Sequence, residues 1–492
     1  MQQAKRIRDD RTLKIMPLHT YTGIWWKPDD PEVQFPGTLA ISADGEATLD
    51  LLGGFPLMVW EKIGQGAYGY GGDRLRLPIV HGNSAGTEIT LLDCRESDAV
   101  YPWASNGPRA QQLSSYRTIV GVHLQAASDA IFIAATLRFE NLQQWLGLGN
   151  INHTFDRDGK VRRAEINMPE PLSVDVDGLA FRVAMHSSTF GFDVRRGEMD
   201  VIAKTSTTLE IRSSVPRTHD GFNEIAISMG DLLTLASGES CAILSYSLEL
   251  DKKRIDEFPD VQKDGTVGTR MIERTITTIV HAPQIADLQP EEKPIIPKQR
   301  FLFTCADMDF ERLIPSWLPL YQKLKPATDI LFSLTYGPPR FIQVQALTAG
   351  VALEAMHRFL YPEALTMLPH DFEQLQNAAL SGLVDEEDRE RLQKTMRNEP
   401  SYKQRIEELA SIPDTAAVSS IIPDIKKWAS KQTRIRNGIA HALDDKAGGD
   451  VTEMFITYER ARKLLYLILM HELGLPAAVQ VRSMERHEYL SK

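Results

Sequence analysis

The stretch PQIADLQPEEKPIIPK, residues 283–298, separates two parts of the sequence that differ in their secondary-structure pattern. It contains four prolines: Pro283, Pro290, Pro294 and Pro297. Because proline fixes φ and carries no amide hydrogen, such a stretch makes a poor helix or central strand but a good semi-rigid connector. We therefore expect one domain over residues 1–297 and a second domain over residues 298–492.

Before this connector the pattern is that of short strands. Apolar runs alternate with turn signals, as in Gly37–Ser42, then Asp44-Gly45, then Ala47–Leu52 and Gly53-Gly54. Runs of this length, punctuated by glycine, aspartate and proline, predict the strands of a β-sandwich or barrel. Further strands are expected at residues 118–124, 131–139, 207–211 and 241–250, and a short helix fits residues 229–236.

After the connector the apolar residues follow a helical period. The first run has the i, i+3, i+4 spacing of a helix face in spite of Pro315, with Phe310, Leu313, Ile314, Trp317 and Leu318. Further helices are expected at residues 346–360, 372–380, 386–396, 402–409, 425–441 and 451–473. The C-terminal part therefore predicts an all-α bundle, and the chain as a whole an α+β protein of two domains.

The composition is that of an ordinary globular protein, with 42% hydrophobic and 25% charged residues and a formal net charge of −11. No global basic field draws such a chain to nucleic acid, although a local basic cleft stays possible. The three cysteines are far apart and form no CxxC pair, which argues against a disulfide framework or a zinc site.

The targeting signals of a secreted or membrane protein are missing from the sequence pattern. The first residues carry charges without the apolar run of a signal peptide. The apolar run Leu464–Met470 is far shorter than the roughly 20 residues that span a bilayer. We expect a cytoplasmic protein without a membrane contact.

The helix expected at residues 425–441 ends in a candidate phosphate-handling site, KQTRIRNGIAH at 431–441. Asn437 and His441 are four residues apart and share a helix face. Arg436 lies about 140° round an ideal helix from His441, so only its long side chain would reach the same pocket. Residues 421–441 hold five basic residues against one acidic residue, a net charge of +4, and such a basic island is typical of a phosphate-backbone site.

The chemistry of these residue types fits RNA cleavage. A histidine with a pKa of about 6.5 takes the proton of a ribose 2′-OH at neutral pH. An arginine holds a phosphate in bidentate fashion, and an asparagine orients either group. The neighbouring 2′-OH is the nucleophile, so this reaction requires neither a metal nor a cofactor and yields a 2′,3′-cyclic phosphate and a 5′-OH. On residue types alone, a solvated basic helix face with an incidental histidine is the favoured interpretation, because this spacing often occurs by chance.

A family resemblance covers nearly the whole chain. RNGIAH at 436–441 resembles the R-[polar]-x3-H signature of the HEPN superfamily. The segment Val344–Arg358, with its Ala-Leu-Glu, resembles the first HEPN helix of ApeA-like proteins, and Phe310–Lys325, with Trp317, resembles the segment before it. At the front, the segments that resemble the ApeA N-terminal domain are Tyr21–Pro28, Phe35–Leu39, Ile79–Gly82 and Thr90–Cys94.

The resemblance implies a bacterial anti-phage protein whose HEPN domain cleaves RNA after infection and stops host growth. The β-rich domain would then be the sensor or regulator, with a phage-derived trigger as a possible partner, and tRNA is the expected substrate. HEPN nucleases usually work as dimers, so a homodimer or higher homo-oligomer is expected. Arg436 and His441 would be catalytic, with Asn437 supporting them.

Two further groups of residues follow from this assignment. The basic residues of the same helix are expected to bind RNA: Lys427, Lys431 and Arg434. The polar residues of the first HEPN helix are expected to line the pocket: Glu354, His357 and Arg358. No metal ligands are expected.

Two other interpretations stay open at this point. The helical domain could be a non-catalytic HEPN module that binds a nucleotide or a partner under control of a ligand-sensing β domain. The β domain could also be a carbohydrate- or ligand-binding module with an aromatic groove at Trp25 or Trp26. Adjacent strand residues point to opposite faces, so core packing is favoured for at least one of these tryptophans. The Gly-rich run at residues 64–72 lacks GK[ST] and predicts a hairpin loop rather than a phosphate cradle.

Overall fold

The computed structural model describes most of the chain, with short gaps. The described residues are 18–56, 60–64, 67–70, 76–100, 108–147, 151–159, 161–166, 168–187, 191–195, 198–202, 205–261, 267–283, 296–337, 341–441 and 450–490. The chain packs as two compact units, one formed by residues 1–142, 168–230 and 242–294 and the other by residues 143–167, 231–241 and 295–492. Two segments from the range expected for the β-rich domain therefore belong to the helical unit. Most of the proline-rich connector, residues 284–295, lies outside the described residues.

Many strands are short, as the sequence pattern predicts. In chain order the strands are β1 (His19–Lys27), β2 (Asp30–Ile41), β3 (Ala47–Leu52), β4 (Trp60–Gly64), β5 (Ala67–Tyr70), β6 (Arg76–Ser84), β7 (Thr87–Val100), β8 (Ala110–Ser115), β9 (Arg117–Val120), β10 (Phe132–Phe139), β11 (Ile151–Phe155), β12 (Val161–Ile166), β13 (Leu172–Val176), β14 (Leu179–Ser187), β15 (Gly191–Arg195), β16 (Glu198–Ile202), β17 (Thr205–Arg217), β18 (Ile243–Val261) and β19 (Val267–His281). Four of the described strands, however, run for 13 to 19 residues: β7, β17, β18 and β19. Two helices interrupt the strands: α1 (Leu142–Leu146) and α2 (His219–Ser237). The helix expected at residues 229–236 is the second half of α2.

The first unit is a closed barrel with an extended outer sheet. The large sheet has the order β13-β14-β17-β10-β18-β19-β9-β7-β6-β1-β2-β3-β8, and its described pairs are antiparallel. Strand β8 pairs with both β3 and β7, which closes β1, β2, β3, β6, β7 and β8 into a six-stranded barrel. This confirms the prediction of a β-rich, barrel-like domain. The Gly-rich run contributes to the small hairpin β4-β5, as expected.

The barrel interior follows the two-residue period of its strands. In β3, Ala47, Leu49 and Leu51 are buried, while the residues between them face outward. Trp25 is fully buried in the same core, and a Cβ at Gly82 would lie 2.2 Å from its ring. A glycine is therefore required beside Trp25, because any larger residue would displace the indole.

Trp26 lies on the opposite face of β1 from Trp25. Its ring is half-buried and meets the imidazoles of His81 and His123 edge-on, at centroid distances of 6.0 and 5.3 Å. Since Trp25 is a core residue and Trp26 packs against histidines, these two tryptophans do not form the exposed aromatic groove of a carbohydrate-binding module. The expectation that at least one of them packs in the core is confirmed.

The second unit is a helical bundle. Its helices are α3 (Phe310–Tyr336), α4 (Ile342–Leu360), α5 (Pro369–Ser381), α6 (Glu386–Thr395), α7 (Tyr402–Leu409), α8 (Thr415–Ile421), α9 (Ile425–His441), α10 (Val451–Glu472) and α11 (Ala477–Leu490). The expected helices all form, and α3 continues through Pro315, Pro319 and Pro326. The overall α+β class is therefore confirmed.

Helices α8 and α11 were not expected from the sequence. Helix α8 has only seven residues, and its clearest local signal is Asp414, whose side chain accepts hydrogen bonds from the amides of Ala416 and Ala417. The buried face of α11 includes Gln480 and Ser483, which are 2% and 0% exposed. Since polar residues occupy core positions there, the apolar period that marks a helix is weak.

Helix α10 lies in the middle of the bundle core. Its run Leu464–Met470 is buried throughout. A run that is apolar on every side belongs inside a protein core or a membrane. Among the described residues, no helix is both long and apolar enough to span a bilayer.

Candidate active site

Helix α9 places Arg436 against α4 and α7. Its buried face repeats at helical spacing through Trp428, Gln432 and Ile435. The carboxylate of Asp424 accepts a hydrogen bond from the amide of Lys427 and caps the start of the helix. The helix is thus anchored at its start and along one face, which fixes the direction of the residues that follow Ile435.

The guanidinium of Arg436 is held on three sides. Its Nη2 donates to Glu354 Oε2 at 3.0 Å, and its Nη1 donates to Asn437 Oδ1 at 3.2 Å. Its Cζ lies 5.2 Å from the centroid of the Tyr402 ring. The Arg436 side chain nevertheless keeps 29% of its surface exposed, so a phosphate can reach it. An arginine oriented in this way presents a planar fork of donors to an incoming oxyanion.

Three residues that the sequence did not mark complete this pocket. Gln432 Nε2 donates to the Tyr402 hydroxyl at 3.4 Å, and burial raises the pKa of Tyr402 to about 12, so the hydroxyl keeps its proton. A Cβ at Gly350 would lie 3.2 Å from both Gln432 Nε2 and Tyr402 Oη and 3.4 Å from Arg436 Cγ. Gly350 therefore allows α4 to approach α9 closely. Of these three residues, only Tyr402 lies beside a local sequence feature, the capping box of Ser401 and Gln404 that begins α7.

Glu354 is shared between two arginines. Its Oε2 accepts from Arg436, while its Oε1 accepts from Arg358 Nε at 3.3 Å and Nη2 at 3.2 Å. Arg358 Nη1 in turn donates to Glu399 Oε2 at 3.2 Å, which also accepts from Arg405 at 3.0 Å. Of the residues expected to line the pocket, Glu354 contacts Arg436 directly and Arg358 acts on it through Glu354.

His357 is fully buried and contacts α7 rather than Arg436. Arg405 Nη1 lies 3.0 Å from its Nδ1, and Glu408 Oε2 lies 2.6 Å from its Nε2. Because arginine only donates, Nδ1 is the acceptor and Nε2 carries the proton that Glu408 accepts. Burial lowers the pKa of His357, and Arg405 adds to this, while Glu408 opposes it. The imidazole is therefore a neutral link between α4 and α7.

The basic residues expected to bind RNA form a separate stripe on α9. Lys427, Lys431 and Arg434 follow the i, i+4, i+7 spacing of one helix face. Arg434 donates to Glu453 Oε2 at 2.7 Å, and Lys431 pairs with the same carboxylate. The Lys431 hydrogen bond, reinforced by Arg434, lowers the pKa of Glu453. Lys427 is exposed.

Arg434 and Arg436 lie on nearly opposite sides of α9. They are two residues apart, which is about 200° of helix rotation. Arg434 accordingly reaches Glu453 on α10, whereas Arg436 reaches Glu354 on α4. Apart from Lys426, the basic island therefore divides into the stripe of Lys427, Lys431 and Arg434 and one arginine that is set into a pocket.

His441 is the last residue of α9, and its side chain lies outside the described part of the structure. Its place on the helix backbone is four residues after Asn437 and seven after Arg434, so it continues their face. Asn437 is thus linked to both ends of the motif. Its Oδ1 accepts a hydrogen bond from Arg436, and its position lies on the same face of α9 as that of His441.

The described residues offer no candidate metal site. Among them, no three His, Cys, Asp or Glu side chains are grouped so as to bind an ion. The three cysteines are free, and Cys94 and Cys241 are buried.

A helical bundle with an RNxxxH motif at the end of one helix, preceded by a β-barrel domain, defines a HEPN-domain protein with an N-terminal accessory domain. The family comparisons agree with this class. Residues 20–317 match the model for ApeA N-terminal domain 1, and residues 347–479 match the model for Apea-like HEPN. The first match alone covers more than half of the chain, so the protein belongs to the ApeA-type HEPN family.

No curated protein and no solved structure matches the chain. Family membership indicates a HEPN nuclease of anti-phage defence, since HEPN domains are generally ribonucleases that act as dimers.

Proposed function

We propose that this protein is a cytoplasmic endoribonuclease that defends bacteria against phage by abortive infection. The observation that carries the proposal is the setting of Arg436. Its guanidinium lies over Tyr402, is bonded to Glu354 and Asn437, and is still partly exposed, on the helix that ends at His441. Cleavage of a phosphodiester requires a group that stabilises charge on the phosphate, which a preoriented, accessible guanidinium supplies, and a group that moves protons, which we assign to His441.

The reaction is a transesterification at one phosphate. His441 takes the proton of the ribose 2′-OH, and O2′ forms a bond to phosphorus. Arg436 neutralises the charge that builds on the non-bridging oxygens. We propose that the protein acts as a homodimer whose two motifs share one cleft. The bond from phosphorus to O5′ breaks, and O5′ takes a proton from the protonated imidazole of the His441 that the second copy supplies. The products are a 2′,3′-cyclic phosphate and a 5′-OH, and the step consumes no metal or cofactor.

Two features bear on the substrate and its control. The exposed stripe of Lys427, Lys431 and Arg434 offers positive charge to phosphates that flank the cut, and tRNA loops are accessible single-stranded targets. The β-rich domain is the candidate sensor of a phage-derived trigger. The basic stripe supports an RNA substrate. The choice of tRNA and of a phage-derived trigger follows from the family.

The test compares wild type with His441→Ala in phage-infected bacteria by sequencing RNA 5′-OH ends, and repeats the cleavage with purified protein in EDTA. His471→Ala, an exposed histidine at the end of α10, is the matched control. New ends on a discrete RNA class in wild type and His471→Ala, but not in His441→Ala, support the nuclease. Protection that persists in His441→Ala without new ends contradicts it and favours a binding module.

A further inference from the structure

Strands β18 and β19 continue well beyond β10 and β9, the strands that flank them in the large sheet. Strand β10 pairs with β18 only as far as Leu250, and β9 pairs with β19 only from Ile279 to His281. Past these points β18 and β19 pair with each other alone, through residues 253–261 and 267–275. We call residues 251–261 and 267–276 the β18–β19 arm. Among the described strands, none pairs with its outer edges.

A bulge marks the point where the arm leaves the sheet. Glu249 pairs with Thr277 and Lys253 with Thr275, so β18 spends two more residues than β19 over this interval. Extra residues on one strand bend the ladder and strengthen its twist. The bulge therefore directs the arm away from the plane set by β10 and β18.

Both faces of the arm are open to solvent. On one face Ile255 and Met271 are 59% and 58% exposed. On the other face Phe258 is 37% exposed and lies under the Arg274 guanidinium, 5.3 Å from Cζ to the ring centroid. An isolated two-stranded hairpin is only marginally stable, and a long strand with a free edge readily pairs with another strand. An arm of this kind gains stability when a further strand joins it.

Exposed ion pairs join side chains within the arm. Asp256 pairs with Arg254 at 2.7 Å and with Arg274 at 3.2 Å, and Lys253 pairs with Glu273 at 2.9 Å. One of these contacts joins residues two apart on β18, and the other two join diagonal neighbours across the two strands of one chain. The outer edge of β18 is thus presented in an extended conformation before anything binds to it.

Along that edge the side-chain charge changes from positive to negative at Ile255. Residues 252–254 are Lys-Lys-Arg, residue 255 is isoleucine, and residues 256–257 are Asp-Glu. When two copies of this edge run antiparallel about Ile255, Lys253 lies opposite Glu257, Arg254 opposite Asp256, and Ile255 opposite itself. Oppositely charged pairs and apolar pairs that face each other across two strands each stabilise a sheet. The acidic half makes the same edge a poor match for a nucleic acid backbone.

We propose that the outer edge of β18, Lys252–Phe258, is a docking surface for the same edge of a second copy of this chain. The two arms join into one four-stranded antiparallel sheet with a two-fold axis at Ile255, an isologous contact. This contact lies outside the region that matches the HEPN model. It does not depend on the proposed nuclease activity. If the HEPN regions also pair, two different two-fold contacts build an assembly larger than a dimer.

The first experiment uses a cysteine at the two-fold axis. Directly opposed residues of an antiparallel pair have Cα atoms about 4.5–5.5 Å apart, which a disulfide can span. Full-length Ile255→Cys should form a disulfide-linked homodimer under mild oxidation at micromolar concentration. Val215→Cys is the matched control, because Val215 is also on a strand and is 57% exposed. Equal and slow cross-linking of the two variants overturns the proposal.

The second experiment reverses charges on the exposed edge, which leaves the barrel core untouched. Lys253→Glu or Glu257→Lys alone places like charges opposite each other and should halve the mass in sedimentation velocity. Lys253→Glu with Glu257→Lys restores opposite charges and should restore the wild-type mass. Single variants of unchanged mass, or a double variant that stays dissociated, each overturn the proposed pairing. Circular dichroism checks that all three variants fold.

Discussion

The guanidinium of Arg436 lies over the aromatic ring of Tyr402, with Cζ 5.2 Å from the ring centroid. The two residues are 34 positions apart in sequence and come from α9 and α7. A cation over an aromatic face gains about 0.5–2 kcal/mol, the larger figure applying where water is excluded. The ring also fixes the plane of the guanidinium, which an ion pair to Glu354 alone would not do. Tyr402 is therefore a positioning residue for Arg436.

Substitutions at Tyr402 should separate its ring from its hydroxyl. Tyr402→Phe keeps the face under Arg436 and loses only the contact with Gln432, so we expect kcat within about threefold of wild type. Tyr402→Leu removes the face and should lower kcat roughly tenfold, which corresponds to about 1.4 kcal/mol. The measurement is single-turnover cleavage of RNA, with melting curves to show that both variants fold. Equal loss in the two variants would assign the effect to the hydroxyl instead.

Arg434 and Arg436 form a matched pair for testing bidentate phosphate binding. Lysine keeps the positive charge but lacks the planar fork of donors. Arg436→Lys should therefore lower cleavage by roughly 100-fold, the usual cost of removing one transition-state donor. Arg434→Lys should change it by less than about fivefold, because Arg434 faces solvent and Glu453. A comparable loss in both variants would contradict a special role of the Arg436 fork, and no loss in either variant would show that charge alone matters in this helix.

Glu354 competes with phosphate for Arg436, since its carboxylate already occupies Nη2. It can stay bonded to Arg358 when a phosphate replaces it at Arg436. In a cleavage-deficient His441→Ala background, Glu354→Gln should therefore bind RNA about fivefold more tightly, a change of about 1 kcal/mol. Fluorescence anisotropy with labelled RNA measures this. Glu399→Gln is the control, because Glu399 contacts Arg358 and Arg405 but not Arg436. Weaker binding by Glu354→Gln would contradict this prediction and show that the orienting effect of Glu354 on Arg436 outweighs its competition with phosphate.

The helices could be predicted from the sequence wherever apolar residues form their buried face. Helix α10 shows this most clearly, because its core run is apolar throughout. Helix α11 could not be predicted, because Gln480 and Ser483 occupy buried positions on it. Strands β3 and β10 were predicted from their apolar runs, whereas β19 was not placed, and the closure of β8 onto β3 is a long-range pairing without a local signal.

The candidate site could be predicted in part. Arg436 and Glu354 were expected from the motif and the family resemblance, and they are in contact. Tyr402, Gln432 and Gly350 were not expected, because their contacts with Arg436 arise only when α4, α7 and α9 pack together. His357 was expected in the pocket from the family resemblance, but tertiary packing buries it against Arg405 and Glu408.

The neutral His357 should make the helical bundle sensitive to acid. Burial and Arg405 lower the pKa of His357 in the folded protein below the ordinary value of about 6.5, which the unfolded chain keeps. Below that pH the unfolded state binds more protons than the folded state, so the free energy of unfolding falls as the pH falls. His357→Gln removes this proton uptake and can still hydrogen-bond to Arg405 and Glu408. Its melting temperature should therefore decline less than that of wild type between pH 7 and pH 5.

The matched control is His370→Gln on α5, because the His370 side chain is 77% exposed. An exposed imidazole has little difference in proton affinity between the folded and unfolded states, so this variant should follow the wild-type pH profile. Differential scanning fluorimetry at half-unit pH steps resolves the two slopes. A His357→Gln profile parallel to wild type would show that protonation of His357 is tolerated in the fold, with Glu408 compensating for the repulsion from Arg405 and Arg358.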